Sequence, residues 1–245
     1  MTRTEQLRRI KAISFDGDMT LWDFQKVMRH SLGHALKALR DRLPWPASDE
    51  LTIEKMIEIR NEVATELKGT VLNLEEIRFR AFKRTVEFVG SKDEELAATL
   101  NALYLRHRFE DIELYPDVLP TLDALGRRYV LGLLSNGNSY PERCGLSDRF
   151  AFVVFSQDVG FEKPDRQIFL AACGRAGCQP EELMHVGDSL ESDVQGARGV
   201  GAVSVWLNRD QTPRGTDVIP DFEIRSLTEL DMILNRLWPP GNHVL

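Results

Sequence analysis

Cysteine is scarce and odd in number. Cys144, Cys173 and Cys178 are the three in 245 residues. That argues against a disulfide framework and for reduced thiols in a cytoplasmic protein. Cys173 and Cys178 have the look of half a metal site, but no second Cys/His pair has the spacing to complete it. No apolar run approaches the roughly 18 residues that span a bilayer. Met1 to Lys11 is polar and basic and lacks the apolar segment of a secretory signal. No membrane partner is therefore expected. Basic charge is not in excess either: 31 Lys and Arg stand against 38 Asp and Glu, for a net charge of -7. This argues against nucleic-acid binding, which relies on basic patches. It leaves anionic small molecules open, because a bound cation can invert the local field. Internal repeats and low-complexity stretches are also absent. What remains is ordinary globular material, 42% apolar and 28% charged, in a chain long enough for one large domain or two small ones.

The apolar pattern divides the chain. Ala12-Ile13-Ser14-Phe15 is a short buried strand stopped by Asp16-Gly17-Asp18. No convincing strand then occurs between Leu21 and Leu114. Helical spacing predicts helices from Phe24 to Leu43, from about Ser48 as N-cap to Leu67, from Leu74 to Val89, and from a Ser91/Glu94 capping box to about Arg108. Pro44 and Pro46 break the first from the second. After Tyr115 strands return. Tyr129–Leu134, Phe152–Phe155, Leu183–Val186, Ala202–Trp206 and Phe222–Ile224 alternate with helices at Val118–Arg127, Pro164–Ala176, Leu190–Arg198 and Ser226–Leu237. Pro239-Pro240-Gly241 opens a loose tail. The expected fold is α/β: a Rossmann-like parallel sheet with helices on both faces, plus an inserted all-helical cap domain. The core is residues 1–21 and 115–245, and the cap is 22–114.

Polar residues gather where strands end. The first strand stops at Asp16 and Asp18, the second at Ser135-Asn136-Gly137, and the fourth at Asp188, with Asp193 five residues on. Lys163-Pro164 opens the helix after the third. Parallel strands place all their carboxyl ends on one edge, so these groups can meet in one crevice. Each has a bland reading alone: Asx-rich turn, solvated lysine, N-cap. Three carboxylates in one crevice repel one another, so a hard cation such as Mg²⁺ is expected there. Such a site suits attack on phosphorus, with Asp16 as nucleophile and Lys163 neutralising phosphoryl oxygens. Asp18 is placed to protonate the leaving alcohol and then activate water.

Asp16-Gly17-Asp18-Met19-Thr20, Ser135-Asn136-Gly137, Lys163-Pro164 and Gly187-Asp188-Ser189…Asp193 resemble the four ordered motifs of the haloacid dehalogenase-like superfamily, and the resemblance extends over the whole chain. It implies a phosphatase-branch hydrolase acting on a small phosphate ester. Asp16 would carry the phosphoryl group and ligate Mg²⁺, and Asp18 would be general acid/base and ligate the metal through its carbonyl. Thr20 would support Asp18 at the hinge of the cap. Ser135 and the Asn136-Gly137 backbone would bind phosphate. Lys163 would stabilise Asp16, Asp188 would ligate Mg²⁺, and Asp193 would hold metal-bound waters or Lys163. The dehalogenase branch lacks the acid/base aspartate and needs no metal, so Asp18, Asp188 and Asp193 favour a phosphatase. A phosphosugar mutase, a 2-haloacid dehalogenase and a catalytically silent phosphometabolite-binding module are the alternatives. The phosphonatase branch uses a cap lysine as amine, and nothing marks Lys37, Lys55 or Lys68 as desolvated. Met19 is a departure, standing where many relatives have a small or polar residue.

Outside these motifs the expectations are plainer. His30 and His34, one helical turn apart, have a metal-ligand spacing, but no third ligand is near in sequence, and a solvated or partly buried helix face is expected. Arg78, Arg80 and Arg84 could point a cationic stripe toward an anionic substrate, and a solvated face is the expectation. Trp22 and Phe24 either line the cavity or pack the hinge. The loop Gly69 to Asn73 is the stretch that, in similar proteins, reads the substrate. The isomer of the Lys163–Pro164 bond is open.

Overall fold

The computed structural model describes residues 3–43, 49–71 and 73–235. The chain forms two compact units, Met1–Asp23 with Leu114–Leu245, and Phe24–Glu113.

The first unit is built on a six-stranded sheet in the order β3-β2-β1-β4-β5-β6. Its strands are β1 (Ala12–Phe15), β2 (Val130–Ser135), β3 (Phe152–Phe155), β4 (Leu183–Gly187), β5 (Val203–Leu207) and β6 (Phe222–Ile224). Every pairing is parallel. β1, β4 and β5 are buried at every position. That is why they read as continuous apolar runs rather than alternating ones: helices cover both faces of the sheet. Successive strands step outward from β1 through β2 to β3, then the order restarts on the other side with β4. The reversal beside β1 opens a crevice at the carboxyl edge, the usual ligand position in open parallel sheets. Gly132 serves the sheet itself: a Cβ there would lie 2.1 Å from the Phe152 ring of the neighbouring strand.

Helices α1 (Arg3–Leu7), α6 (Val118–Leu125), α7 (Ser156–Val159), α8 (Arg166–Ala176), α9 (Gly196–Val200) and α10 (Glu229–Asn235) complete this unit. The short α1 and α7 have no counterpart in the sequence reading. Three expected boundaries need correction. The helix expected from Pro164 begins at Arg166, because the Asp165 side chain caps it by accepting from Gln167 N–H at 2.8 Å. The helix expected over Leu190–Arg198 is a π turn, Leu190–Gln195, followed by α9. α10 is regular only from Glu229, yet Ser226 closes its start as expected: its Oγ accepts from Thr228 N–H at 3.3 Å and donates to Asp117 at 2.8 Å, and the Glu229 carboxylate returns to the Arg225 and Ser226 N–H groups. Leu237 and Pro239–Gly241 lie outside the described residues.

The second unit holds α2 (Phe24–Arg42), α3 (Ile53–Leu67), α4 (Leu74–Phe88) and α5 (Glu94–Glu110). Leu32, Leu36, Leu39, Phe82, Val86, Leu100 and Tyr104 share its core. Ser48, Pro44, Pro46 and residue 72 of the Gly69–Asn73 loop lie outside the described residues. The cap of α3 is Thr52, which accepts from Lys55 N–H at 3.1 Å. At α5 the expected Ser91/Glu94 box is replaced by Asp93, whose carboxylate takes Leu96 N–H at 2.9 Å, while Ser91 Oγ accepts from Asp93 N–H. A carboxylate two residues nearer the helix outcompetes a hydroxyl, because it also meets the positive end of the helix dipole.

Candidate active site

Asp16 follows the last residue of β1, Ser135 ends β2, and Asp188 follows the last residue of β4. They share the carboxyl edge at the switch in strand order. Lys163, between β3 and α8, is the centre of the cluster. Its Nζ is almost fully buried and donates to Asp16 Oδ1 and Asp193 Oδ1, both at 2.6 Å. Carboxylate oxygens of Asp16, Asp188 and Asp193 lie within 4.8 Å of one another.

The lysine is positioned through its own main chain. Lys163 N–H donates to Asn136 Oδ1 at 2.7 Å, and Asn136 Nδ2 donates to the Lys163 carbonyl at 3.0 Å. This two-way amide clasp binds the loop after β2 to the loop after β3. The Lys163–Pro164 bond within it is cis. Ser156 Oγ donates to the Asn136 carbonyl at 3.2 Å. Thus the Asn136 side chain orients Lys163, a role the sequence reading did not assign to it. Ser135 Oγ accepts from Gly137 N–H at 3.0 Å, which leaves its own proton for donation to a ligand. Gly137 is where the second motif meets the first: a Cβ on it would stand 3.2 Å from Asp18 Oδ2.

Asp18 is half-buried. Its Oδ1 accepts from Trp22 Nε1 at 2.8 Å. Trp22 is 1% exposed, and its ring fills the space a side chain on Gly17 would need, 2.9 Å from that Cβ position. Trp22 therefore packs and orients Asp18. Between them, Met19 turns the chain with φ 64, and its N–H donates to the Trp22 carbonyl at 2.8 Å. Thr20 is the expected site residue that the structure leaves apart. It is fully buried, and its hydroxyl has no hydrogen-bond partner among the described residues. Its carbonyl accepts from Arg209 at 3.0 Å.

Asp193 sits on the π turn and is held by three donors. Lys163 Nζ and His185 Nε2 reach Oδ1, the latter at 3.0 Å, and Ser189 N–H reaches Oδ2 at 3.0 Å. Its approach depends on Gly187, since a Cβ there would lie 2.2 Å from the Asp193 carboxyl carbon. His185 is buried in β4 and its Nδ1 lies 2.8 Å from Ser14 Oγ. Burial holds His185 below its ordinary pKa despite the Asp193 carboxylate. With the ring neutral, the two contacts fit Nε2–H donating to Asp193 and Nδ1 accepting from Ser14. The sequence reading treated His185 only as a strand residue. A histidine inside an otherwise apolar strand, beside the motif that follows, is the signal that was available.

Charge is unbalanced in this crevice. For Asp16, burial is the largest influence, and Asp193 and Asp188 add to it, so its carboxyl is pushed up to about 8 despite Lys163. Asp188 is pushed up to about 6 by burial and then by Asp193. Burial also raises Asp193, but Lys163 and His185 outweigh it and hold it well below the usual carboxylate range. Burial lowers Lys163, and the two aspartates more than reverse that. One ammonium cannot neutralise three carboxyls. Two of them are left in need of positive charge, and their all-oxygen donor set fits a hard divalent cation.

The other sequence candidates fall outside this cluster. All three cysteines are free and buried, and burial raises the Cys173 thiol to about 12, so Cys173 stays protonated. Of the arginines read as one stripe, Arg80 pairs with Glu76 and Arg84 grips Glu66 through two 2.7 Å bonds at the surface. Arg78 instead turns inward, over the Tyr104 ring, and burial with nearby Arg108 lowers it to about 10. Phe24 carries the guanidinium groups of Arg60 and Arg108 over its ring.

Comparison with known proteins agrees with this geometry. Residues 10–201 match the haloacid dehalogenase-like hydrolases. The chain is 32% identical over 240 residues to a glyceraldehyde 3-phosphate phosphatase of Methanopyrus kandleri, covering 93% of this chain and 98% of that protein. It is 27% identical to the human N-acylneuraminate-9-phosphatase, with 94% and 96% covered. Among solved structures, a 2-haloacid dehalogenase from Pseudomonas syringae pv. Tomato superimposes with a TM-score of 0.79 at 31% identity, covering 93% and 99% of the two chains. A HAD phosphatase from Thermococcus onnurineus gives 0.67 at 32% identity, covering 92% and 98%. The chain belongs to the haloacid dehalogenase-like hydrolase family. No helix among the described residues is long and apolar enough to cross a membrane.

Proposed function

We propose that this hydrolase is a phosphoric monoesterase that cleaves a small phosphorylated metabolite with Asp16 as nucleophile. The observation that carries the reading is the buried Lys163 ammonium, shared at 2.6 Å between Asp16 and Asp193 beside Asp188. It marks a place built for a group with several anionic oxygens. Asp16 and Asp188, with the Asp18 carbonyl, would hold Mg²⁺. When bound, the cation keeps Asp16 ionised and withdraws charge from the phosphoryl oxygens.

The residues divide the work. An Asp16 carboxylate oxygen attacks phosphorus and forms an acyl phosphate, and the bond from phosphorus to the ester oxygen breaks. Asp18 gives its proton to the departing alkoxide. Asp18 then takes a proton from water, the water oxygen attacks phosphorus, and inorganic phosphate leaves with Asp16 restored. Lys163 and the Ser135 hydroxyl hold the phosphoryl oxygens, and Asn136 keeps Lys163 in place. Asp193 serves as the anchor of Lys163, since both its oxygens already accept protein donors. The phosphatase names of the relatives in Methanopyrus kandleri and human support a small phosphorylated metabolite as substrate.

The likeness to a 2-haloacid dehalogenase favours a second reading, in which Asp16 displaces halide from carbon. Asp18 separates the two, because halide departure needs no proton. The test is release of phosphate from a panel of small phosphate esters and p-nitrophenyl phosphate with Mg²⁺ present. Turnover is expected in the native chain, and Asp16→Asn is expected to lose roughly a thousandfold or more while still binding phosphate. Metal-independent halide release from a 2-haloacid would replace this reading with the second. Binding of esters without turnover would leave a sensing module.

A further inference from the structure

The helical unit carries a second cluster of potential ligands, made only of its own residues. His30 and His34 lie on α2, one turn apart, and His107 lies on α5 with Asp111 as the residue that ends it. Two i,i+4 pairs on neighbouring helices thus face each other. One ligand atom from each of the four residues lies within 4.8 Å of all the others. The individual separations are 3.1 Å from His30 Nε2 to Asp111 Oδ2, 3.3 Å between the Nε2 atoms of His30 and His34, and 2.7 Å from His107 Nδ1 to Asp111 Oδ2. Ligands on a tetrahedral zinc at ordinary bond lengths stand about 3.3 Å apart. His30 is 53% exposed and Asp111 35%, so a path from solvent exists, while His107 at 15% is held by the helix pair.

We propose that His30, His34, His107 and Asp111 form a site for a divalent transition-metal ion of the zinc type, which clips α2 to α5. Three imidazoles and one carboxylate are a borderline donor set that zinc and its first-row neighbours prefer and magnesium does not. The site is therefore chemically distinct from the oxygen-only crevice at Asp16. Asp111 already bridges His30 and His107, and the His34 and His107 rings stack with centroids 3.6 Å apart, so closing the site requires these rings to turn out of the stack toward a common ion. Arg106 lies 3.2 Å from His107 Nε2. Metal on Nδ1 places the ring proton on Nε2, and the exposed Arg106 side chain swings to solvent.

The test is calorimetric titration of the full chain with Zn²⁺ in millimolar Mg²⁺, which keeps the oxygen site occupied. One zinc per chain is expected, with a dissociation constant below about 10 μM. His34→Ala and His107→Ala are each expected to weaken it at least about tenfold, whereas Asp188→Asn is expected to leave it unchanged. Co²⁺ added to the unmutated chain gives visible bands of a low-coordinate nitrogen and oxygen site, a readout that does not depend on any variant folding. Absence of stoichiometric zinc binding, binding that survives loss of both His34 and His107, or binding lost in Asp188→Asn would each overturn the proposal.

Discussion

Asp16 and Asp193 receive the same ammonium at the same 2.6 Å, yet their carboxyls are driven in opposite directions. The difference lies in their remaining partners. Asp193 also has His185 and Ser189 N–H, whereas Asp16 faces two further carboxyls. A carboxylate with several donors becomes an anchor, and one short of them is left for an incoming cation or electrophile. Gly187 makes the anchor possible. Gly187→Ala places a methyl 2.2 Å from the Asp193 carboxyl carbon. It is expected to destabilise the protein by about 1–3 kcal/mol and to lower kcat at least about tenfold through misplaced Lys163, read from urea unfolding and steady-state kinetics. Met19 tests the opposite case. At φ 64 a side chain is strained, which costs about 1–2 kcal/mol, while glycine gives back about 0.5–1 kcal/mol through a freer unfolded chain. Met19→Gly is therefore expected to raise the urea midpoint slightly, by the equivalent of about 0.5–1 kcal/mol, and a fall would mean that the Met19 side chain packs to advantage.

Among the elements, the loop before α6 is tied to two others through Asp117. Its carboxylate takes two bonds from Arg209, at 2.9 and 3.0 Å, one from Ser226 Oγ and one from Leu227 N–H. Arg209 also lies over the Tyr115 ring, 4.0 Å from its centre. Burial raises Asp117, but the bonds from Arg209, Leu227 and Ser226 prevail and leave it below its ordinary value of 3.8. A carboxyl lowered on folding contributes stability above its unfolded pKa and loses it as pH falls through the folded one. The native protein should thus weaken as pH drops below about 4. Asp117→Asn should be less stable at neutral pH, by about 1–3 kcal/mol, with a shallower decline in acid. Melting curves from pH 7 to about pH 3 measure both. The π turn makes a comparable point about form. Asp193 N–H and Val194 N–H both turn back to the Ser189 carbonyl, at 3.0 and 3.2 Å. The wider turn carries Asp193 in toward Lys163, and widened turns of this kind recur at functional sites.

At the scale of the whole molecule, the crevice holds more negative charge than its own groups neutralise. Folding is therefore expected to be linked to cation binding. Adding Mg²⁺ is expected to raise the melting temperature of the native chain by a few degrees, with EDTA reversing the gain and Asp188→Asn abolishing it, in a thermal-shift assay with circular dichroism as a check. EDTA is likewise expected to remove phosphatase activity. A native chain whose stability ignores Mg²⁺ would contradict the linkage.

The strands and their order of appearance were legible in the sequence, because a buried parallel strand announces itself as a local apolar run and needs no knowledge of its neighbours. The convergence of Asp16, Ser135, Lys163 and Asp188 on one edge was legible for a related reason. Asp16, Ser135 and Asp188 stand at strand ends and Lys163 in the loop before α8, and parallel strands bring all such ends to one edge. Helix starts were read less well, since Thr52, Asp93 and Asp165 won contests between adjacent donors and acceptors that composition does not settle. The tertiary structure alone decided the rest. It made Asn136 the clasp of Lys163, put His185 behind Asp193, and left the Thr20 hydroxyl without a hydrogen-bond partner among the described residues. It also carried His107 and Asp111 to His30 and His34, which no local spacing could show. Pattern along a chain records what each residue needs from its surroundings, but partners distant in sequence are chosen only when packing brings them within reach.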